Sequence, residues 1–227
     1  MLPWVTLDRA EVPGEREPLV LLQRGHEFVI RVGPTALMGS EQHGSEEALA
    51  EFACARFAAF ADARVLIGGL GMGFTLAAAL RMLAAGAHVE VAELMPAVIA
   101  WNRGPLAHLA GRPLDDARAH VREGDVASAY GDAPAWDAIL LDVDNGPDGL
   151  TRAGNDALYT LEGLRRAHRA LRPGGVLGVW SVAPDDAFTR RFERAGFVVQ
   201  TRVVRARRGK GGRHTLWLGE KPASRKG

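Results

Sequence analysis

A glycine-rich turn, followed at a fixed distance by an acid, constrains this chain more than any other feature. Residues 65–73 read VLIGGLGMG, and Glu93 stands twenty residues after Gly73, at the end of VEVAE. The pattern predicts a buried parallel strand, a glycine turn, a helix, a second strand, and an acid at that strand's C-terminal tip. Glycines let a ligand approach the backbone, and a carboxylate can accept both hydroxyls of a ribose. Gly69, Gly71 and Gly73 form G-x-G-x-G with Phe74 next, whereas a dinucleotide fingerprint needs G-x-G-x-x-G. The spacing therefore favours S-adenosylmethionine or a close relative over a pyrophosphate. The plainer alternative is a glycine turn that holds nothing.

The bulk properties narrow the class. A chain of 227 residues, 47% of them hydrophobic, suits one α/β domain with a small addition. A net charge of +1 gives no global push toward nucleic acid or membrane. Arg205 to Arg213 is the only basic run, and it reads as a solvated hairpin tip, without the interleaved aromatics of a nucleic-acid surface. Cys54 is the only cysteine, which rules out an internal disulfide; its alanine-rich surroundings predict a buried thiol. No apolar leader follows Met1, and a cytoplasmic location is expected. The seven histidines show no metal spacing, so no metal is expected.

Two units are expected: a small N-terminal β unit over residues 1–43 and a catalytic domain over 44–227. Residues 19–23 and 27–32 predict a hairpin, with Gly33-Pro34 turning into another short piece. Ser45 is expected to cap a helix over 46–60. Strands are then predicted at 64–68, 87–92, 118–122, 137–142 and 175–180, and helices at 73–85, 96–103, 155–171 and 184–195. Residues 197–205 and 214–219 predict two final strands. Alternating strands and helices imply a doubly wound, Rossmann-like parallel sheet preceded by the β-hairpin unit.

Ligands of such sheets sit outside the carboxyl ends of the strands, so the strand tips are the candidates. Glu93 is read as the ribose acid, with helix capping before Pro96 as the alternative. Asp125 is read as the adenine contact; it can equally cap a short helix over 126–130. Asp142 closes the apolar strand AILLD and opens a loop that also holds Asp144 and Asp148. Crowded carboxylates raise one another's pKa, and a cationic substrate relieves the repulsion. A solvated acidic loop is the alternative. Trp180 and Ser181 end the fifth strand as a possible pocket wall, and Gln42 and His43 sit where the hairpin meets the first helix and can close over the site.

These residues resemble the spermidine synthase (polyamine aminopropyltransferase) family over about residues 27–181. The family's GGGDG turn resembles Gly68–Gly73, its ribose acid Glu93, and its G-D pair for adenine Gly124-Asp125. Its D-S-S-D-P catalytic loop resembles Asp142 to Pro147, and its L-K-P-G-G resembles Leu171 to Gly175. The resemblance implies the fold of S-adenosylmethionine-dependent methyltransferases. It implies a small-molecule amine as substrate and a homodimer built on the N-terminal elements. It departs from the family at Gly71, where the family has an acid that holds the aminopropyl ammonium, and at Asn145, near the loop's second acid, for which Asp144 can substitute.

Three readings follow. The first is aminopropyl transfer from decarboxylated S-adenosylmethionine to a polyamine, with Asp142 as the proton acceptor and Asp144 holding a second ammonium. The second is methyl transfer from intact S-adenosylmethionine to a small molecule, since Gly71 sets no acid against the donor's carboxylate. The third is a non-catalytic nucleoside-binding protein, because fold does not guarantee turnover.

Overall fold

Short apolar runs alternating with helical stretches fold here as the period-two and period-3.6 patterns dictate. The computed structural model describes residues 2–12, 16–143, 153–207 and 210–223. The N-terminal strands β1 (Val5–Ala10), β2 (Leu19–Arg24), β3 (Glu27–Val32) and β4 (Thr35–Gly39) form an antiparallel sheet in the order β1-β2-β3-β4. The expected hairpin is β2–β3. The additional strand β1 carries exposed Val5 and Leu7, so it has no buried face by which the sequence could reveal it. It is tied to the rest of the molecule through Asp8, whose Oδ2 accepts from Trp101 Nε1 at 2.6 Å.

The chain then runs through α1 (Gly44–Cys54), β5 (Arg64–Gly68), α2 (Phe74–Met82), β6 (His88–Glu93), α3 (Pro96–Arg103), β7 (Ala119–Glu123) and β8 (Trp136–Leu141). It continues through α4 (Ala153–Tyr159), α5 (Leu161–Ala170), β9 (Leu171–Ser181), α6 (Asp186–Arg194), β10 (Val198–Arg207) and β11 (Lys210–Glu220). These strands build a seven-stranded sheet in the order β10-β11-β9-β8-β5-β6-β7. The five strands from β9 to β7 are parallel, and β11 pairs antiparallel with both β9 and β10. This is the doubly wound α/β architecture that the alternation predicts.

Four local features differ from expectation. Ser45 is not a cap: His43 holds that position, and Ser45 lies buried in the first turn of α1 with its hydroxyl engaged elsewhere. That helix stops at Cys54, and a tighter 3-10 turn over Ala55–Phe57 follows. The helix expected over 155–171 is two helices, because Thr160 Oγ1 accepts from Gly163 N at 3.0 Å and starts α5 afresh. β9 begins at Leu171, taking in Pro173 and Gly174 that were expected to lie before it. Burial pushes the Cys54 thiol up to about 12, which makes it inert.

One hydrophobic core joins the two sheets: Leu21 and Ile30 of the first pack in the same cluster as Leu49, Val65 and Ile67. At the opposite, N-terminal edge of the large sheet, buried Asp137 accepts from Arg64 N at 2.8 Å and from Arg172 Nη1 at 2.9 Å. Among the described residues no helix is long and apolar enough to cross a membrane.

β5 lies between β6 and β8, and the chain leaves it toward β6, so its tip is where the winding reverses. The tips are stitched there: Gly69 N donates to Ala92 O, Asp142 N to Gly68 O and Gly124 N to Glu93 O, each at 2.9 Å. Gly69 has φ of +87°, and a Cβ on it would meet the Asp142 carbonyl oxygen at 2.4 Å. Gly131 has φ of +72° with nothing within 4 Å of such a Cβ. Gly131→Ala should therefore cost about 1–2 kcal/mol from the left-handed backbone alone, and Gly69→Ala a further 1–3 kcal/mol, roughly, from overpacking. Denaturant unfolding of both variants checks this; equal losses would contradict it.

Candidate active site

Strand tips and the first turns of two helices converge on one cleft of about 640 Å³, counting the space open to solvent. Leu37 and Met38 of β4 form one wall, and Leu70 and Met72 of the glycine turn form another. Phe74 and Thr75 enter from the start of α2, Glu46 from the start of α1, Asp142 from the end of β8 and Trp180 from the end of β9. The walls are mostly apolar, and within them stand two carboxylates. Neither Glu46 nor Asp142 has a cationic side chain within ion-pair distance among the described residues.

Asp142 Oδ2 accepts from Thr75 Oγ1 at 2.5 Å. Thr75 is itself buried in the first turn of α2, so the helix that follows the glycines also orients the acid of the neighbouring strand. Burial pushes Asp142 up to about 6, against the pull of Thr75. Burial and then the charge of Asp142 push Glu46 up to about 7, while Ser45 Oγ donates to its Oε2 at 2.7 Å. Trp180 Nε1 is buried and finds no partner among the described residues. An orphaned indole N–H in a cleft wall is a donor available to an incoming ligand.

Glu93 does not line this cleft. It is buried behind the glycine turn, where its Oε2 accepts from Leu70 N at 2.9 Å and its Oε1 from Met95 N at 2.8 Å. Burial raises its pKa against those backbone donors. Its route to the cleft is Leu70, whose amide it holds and whose side chain is part of the wall. Asn102 Nδ2 braces the same turn by donating to Gly71 O at 2.8 Å.

The other sequence candidates are placed as follows. Gly71 lines the cleft with φ of +52°, and a Cβ there would lie 3.3 Å from Met38 Sδ, so Met38 fills the space beside the missing acid. Gly69 and Gly73 shape the turn from outside the cleft. Asp125 is exposed and caps the 3-10 turn Val126–Ala129, with Oδ1 accepting from Ala127 N at 2.8 Å. Gln42 is exposed in the turn after β4, its backbone N–H donating to Gly39 O. His43 stacks on the cleft residue Phe74 with centroids 4.1 Å apart. Asp144, Asn145 and Asp148 lie outside the described residues. Among those described, no group of His, Cys, Asp or Glu could hold a metal ion.

Sequence reasoning missed Glu46 and Thr75. Both fall in the first turn of a helix that begins at a strand tip, and that position is the signal that could have found them.

The comparisons with known proteins agree with this architecture. No protein-family model matches the chain, and no curated protein matches it in sequence. A spermidine synthase in complex with the transition-state analogue AdoDATO superposes with a TM-score of 0.74 at 18% identity, over 96% of this chain and 73% of that one. The spermidine synthase from Thermotoga maritima gives 0.71 at 17% identity over 96% and 73%. A putative O-methyltransferase from Klebsiella pneumoniae gives 0.54 at 22% identity over 78% and 80%. At these identities the similarity shows the fold.

The two raised carboxyls tie stability to pH. Ordinary values are 3.8 for Asp142 and 4.5 for Glu46, so between about pH 4 and 7 the folded chain binds more protons than the unfolded one. Stability therefore falls as pH rises through that window. Each tenfold change in proton affinity is worth about 1.4 kcal/mol. Asp142→Asn keeps the Thr75 hydrogen bond and removes one charge. It should match the parent near pH 4 and exceed its stability by about 1–3 kcal/mol at pH 8. Chemical unfolding at the two pH values checks this, and a variant less stable than the parent at pH 8 would contradict it.

Proposed function

We propose that this protein is a transferase that moves an aminopropyl group from decarboxylated S-adenosylmethionine to an amine acceptor of the polyamine class. The observation that carries the reading is the pair Glu46 and Asp142 in a mostly apolar cleft, with no cationic side chain within ion-pair distance among the described residues. Such a pair calls for a cationic ligand. An intact S-adenosylmethionine would bring its own carboxylate toward them. At about 6 Å and an effective dielectric near 20, each like-charge contact costs about 3 kcal/mol. The decarboxylated donor and a protonated amine bring only positive charge. The fold, shared with spermidine synthases, supports the same reading.

In this reading Gly71 lets the nucleoside approach the backbone, Gly69 and Gly73 shape the turn that presents it, Glu93 takes the ribose hydroxyls, and Asp125 takes the adenine amine. Gln42 closes over the donor. Asp142 orients the acceptor nitrogen and accepts its proton, and Asp144 holds a second ammonium. The freed electron pair attacks the carbon next to sulphur, the C–S bond breaks onto sulphur, and a neutral thioether leaves. One proton is released per turnover. Alignment supplies most of the acceleration, because a sulphonium is already a good leaving group. In this reading the protein acts without a metal, as a homodimer, in the cytoplasm.

A second reading, methyl transfer from intact S-adenosylmethionine, draws on Gly71, which sets no acid in the glycine turn. Product mass separates the two. Incubation with each donor and a mixture of amines should yield an aminopropyl gain from the decarboxylated donor; a methyl gain from the intact donor would favour the second reading, and no product from either would leave a nucleoside-binding protein. Asp142→Asn should lower kcat by about 10²–10⁴-fold while donor affinity stays within a few-fold. Glu93→Gln should instead weaken donor binding, by about tenfold or more, as measured by calorimetry.

A further inference from the structure

The Ser45 hydroxyl stands between a cleft acid and a histidine. Ser45 is fully buried, its Oγ lies 2.7 Å from Glu46 Oε2, and it lies 2.7 Å from His214 Nδ1. His214 belongs to β11 and is only half-buried. Its Nε2 lies beside exposed Gly212, where a Cβ would sit 3.5 Å from that nitrogen. The Trp180 ring meets the imidazole edge-on at 4.7 Å and helps to fix it. A continuous chain of hydrogen-bonding groups thus runs from the cleft to the base of the β10–β11 hairpin.

We propose that Glu46, Ser45 and His214 form a proton-exit path for the cleft. The proposal rests on the transferase reading, in which an ammonium nucleophile must release one proton per turnover. With Glu46 ionised, Ser45 donates to Oε2. Asp142 first takes the acceptor's proton and passes it to Glu46 across the cleft that both line; the hydrogen bonds then reverse, with Glu46 donating to Ser45 Oγ and Ser45 donating to His214 Nδ1. Transfer along these bonds forms an imidazolium, which gives up its Nε2 proton to solvent. The electron pair left on nitrogen forms the new N–C bond, so protons and electrons balance with no further reagent. Glu46 touches the cleft; Ser45 and His214 act through it.

The charges around the path suit this role. The Glu46 carboxyl feels the charge of Asp142 from β8, while the Thr75 hydroxyl of α2 approaches only the Glu46 backbone carbonyl. Its helix neighbour Glu47 is balanced by Arg81 at 3.3 Å and approached by His43 at 3.5 Å. His214 has no ion pair among the described residues, and burial holds it below the ordinary imidazole value. Burial pushes the acid up to about 7 and the imidazole down, so the proton rests on Glu46 and an imidazolium, once formed, gives its proton up readily.

Ser45→Ala, Ser45→Thr and His214→Gln test the path, with kcat, donor affinity and pH profile as readouts in the full chain. Ser45→Ala and His214→Gln should each lower kcat about tenfold to a hundredfold with donor affinity within two-fold or so of the parent. The pH optimum should move upward, since the amine must then arrive deprotonated. Ser45→Thr should restore most of the rate. Nuclear magnetic resonance titration of His214 adds a readout independent of turnover: Glu46→Gln should shift its midpoint in the parent and leave it unmoved in the Ser45→Ala background. If the parent turns over while both variants keep its kcat and pH profile, the path is overturned and the transferase reading stands. If the parent turns over no donor and amine combination, both are overturned.

Discussion

Two half-buried carboxylates set between mostly apolar walls, with no cationic side chain within ion-pair distance among the described residues, form the constraint around which the cleft is organised. Burial of unpaired charge is costly, and a protein meets that cost by protonating the group or by waiting for a partner. Glu46 and Asp142 show the first response in their raised pKa values. Their placement provides for the second. Each stands at the end of a rigid element, and Thr75 holds Asp142 in orientation. A cation entering the cleft would stabilise both acids at once, which couples binding to proton release.

That arrangement depends on how tightly the strand tips are joined. The Gly69 backbone passes so close to Asp142 that no side chain fits between them, and this places the acid over the switch point. Glu93 holds the other side of the glycine turn through the Leu70 and Met95 amides, while Asn102 braces it from α3. Glu93 is thus already engaged by the protein's own backbone. For a ribose to take its oxygens, those donors must share them, a rearrangement confined to the glycine turn.

Much of the fold was legible because its signals are local. Helix α3 was expected at 96–103, where Pro96 opens it and Gly104 follows it, and it spans those residues. Strand β5 was equally clear, a continuous apolar run ending in glycine. β1 was not, because both its faces are largely exposed; beyond its pairing with β2, the Asp8–Trp101 bond ties it to α3 across 93 residues. The helix split at Thr160 turned on a side chain competing for a backbone amide, which periodicity cannot register. The cleft was half legible. Asp142 follows from its strand, but its companion came from α1, where an acid in a first turn reads as ordinary helix chemistry. His214 reaches Ser45 across 169 residues of sequence, and only the sheet order brings them together.

The central claim is that the cleft pair shares protons when empty and ionises around a cation. Infrared difference spectroscopy at pH 6.5 tests it directly, comparing the protein before and after saturation with a diamine. A protonated-carboxyl band should be present in the free protein, lost on addition of the diamine and absent from the Asp142→Asn, Glu46→Gln double variant. A band that is missing from the free protein, or that persists unchanged at saturating diamine, would contradict it.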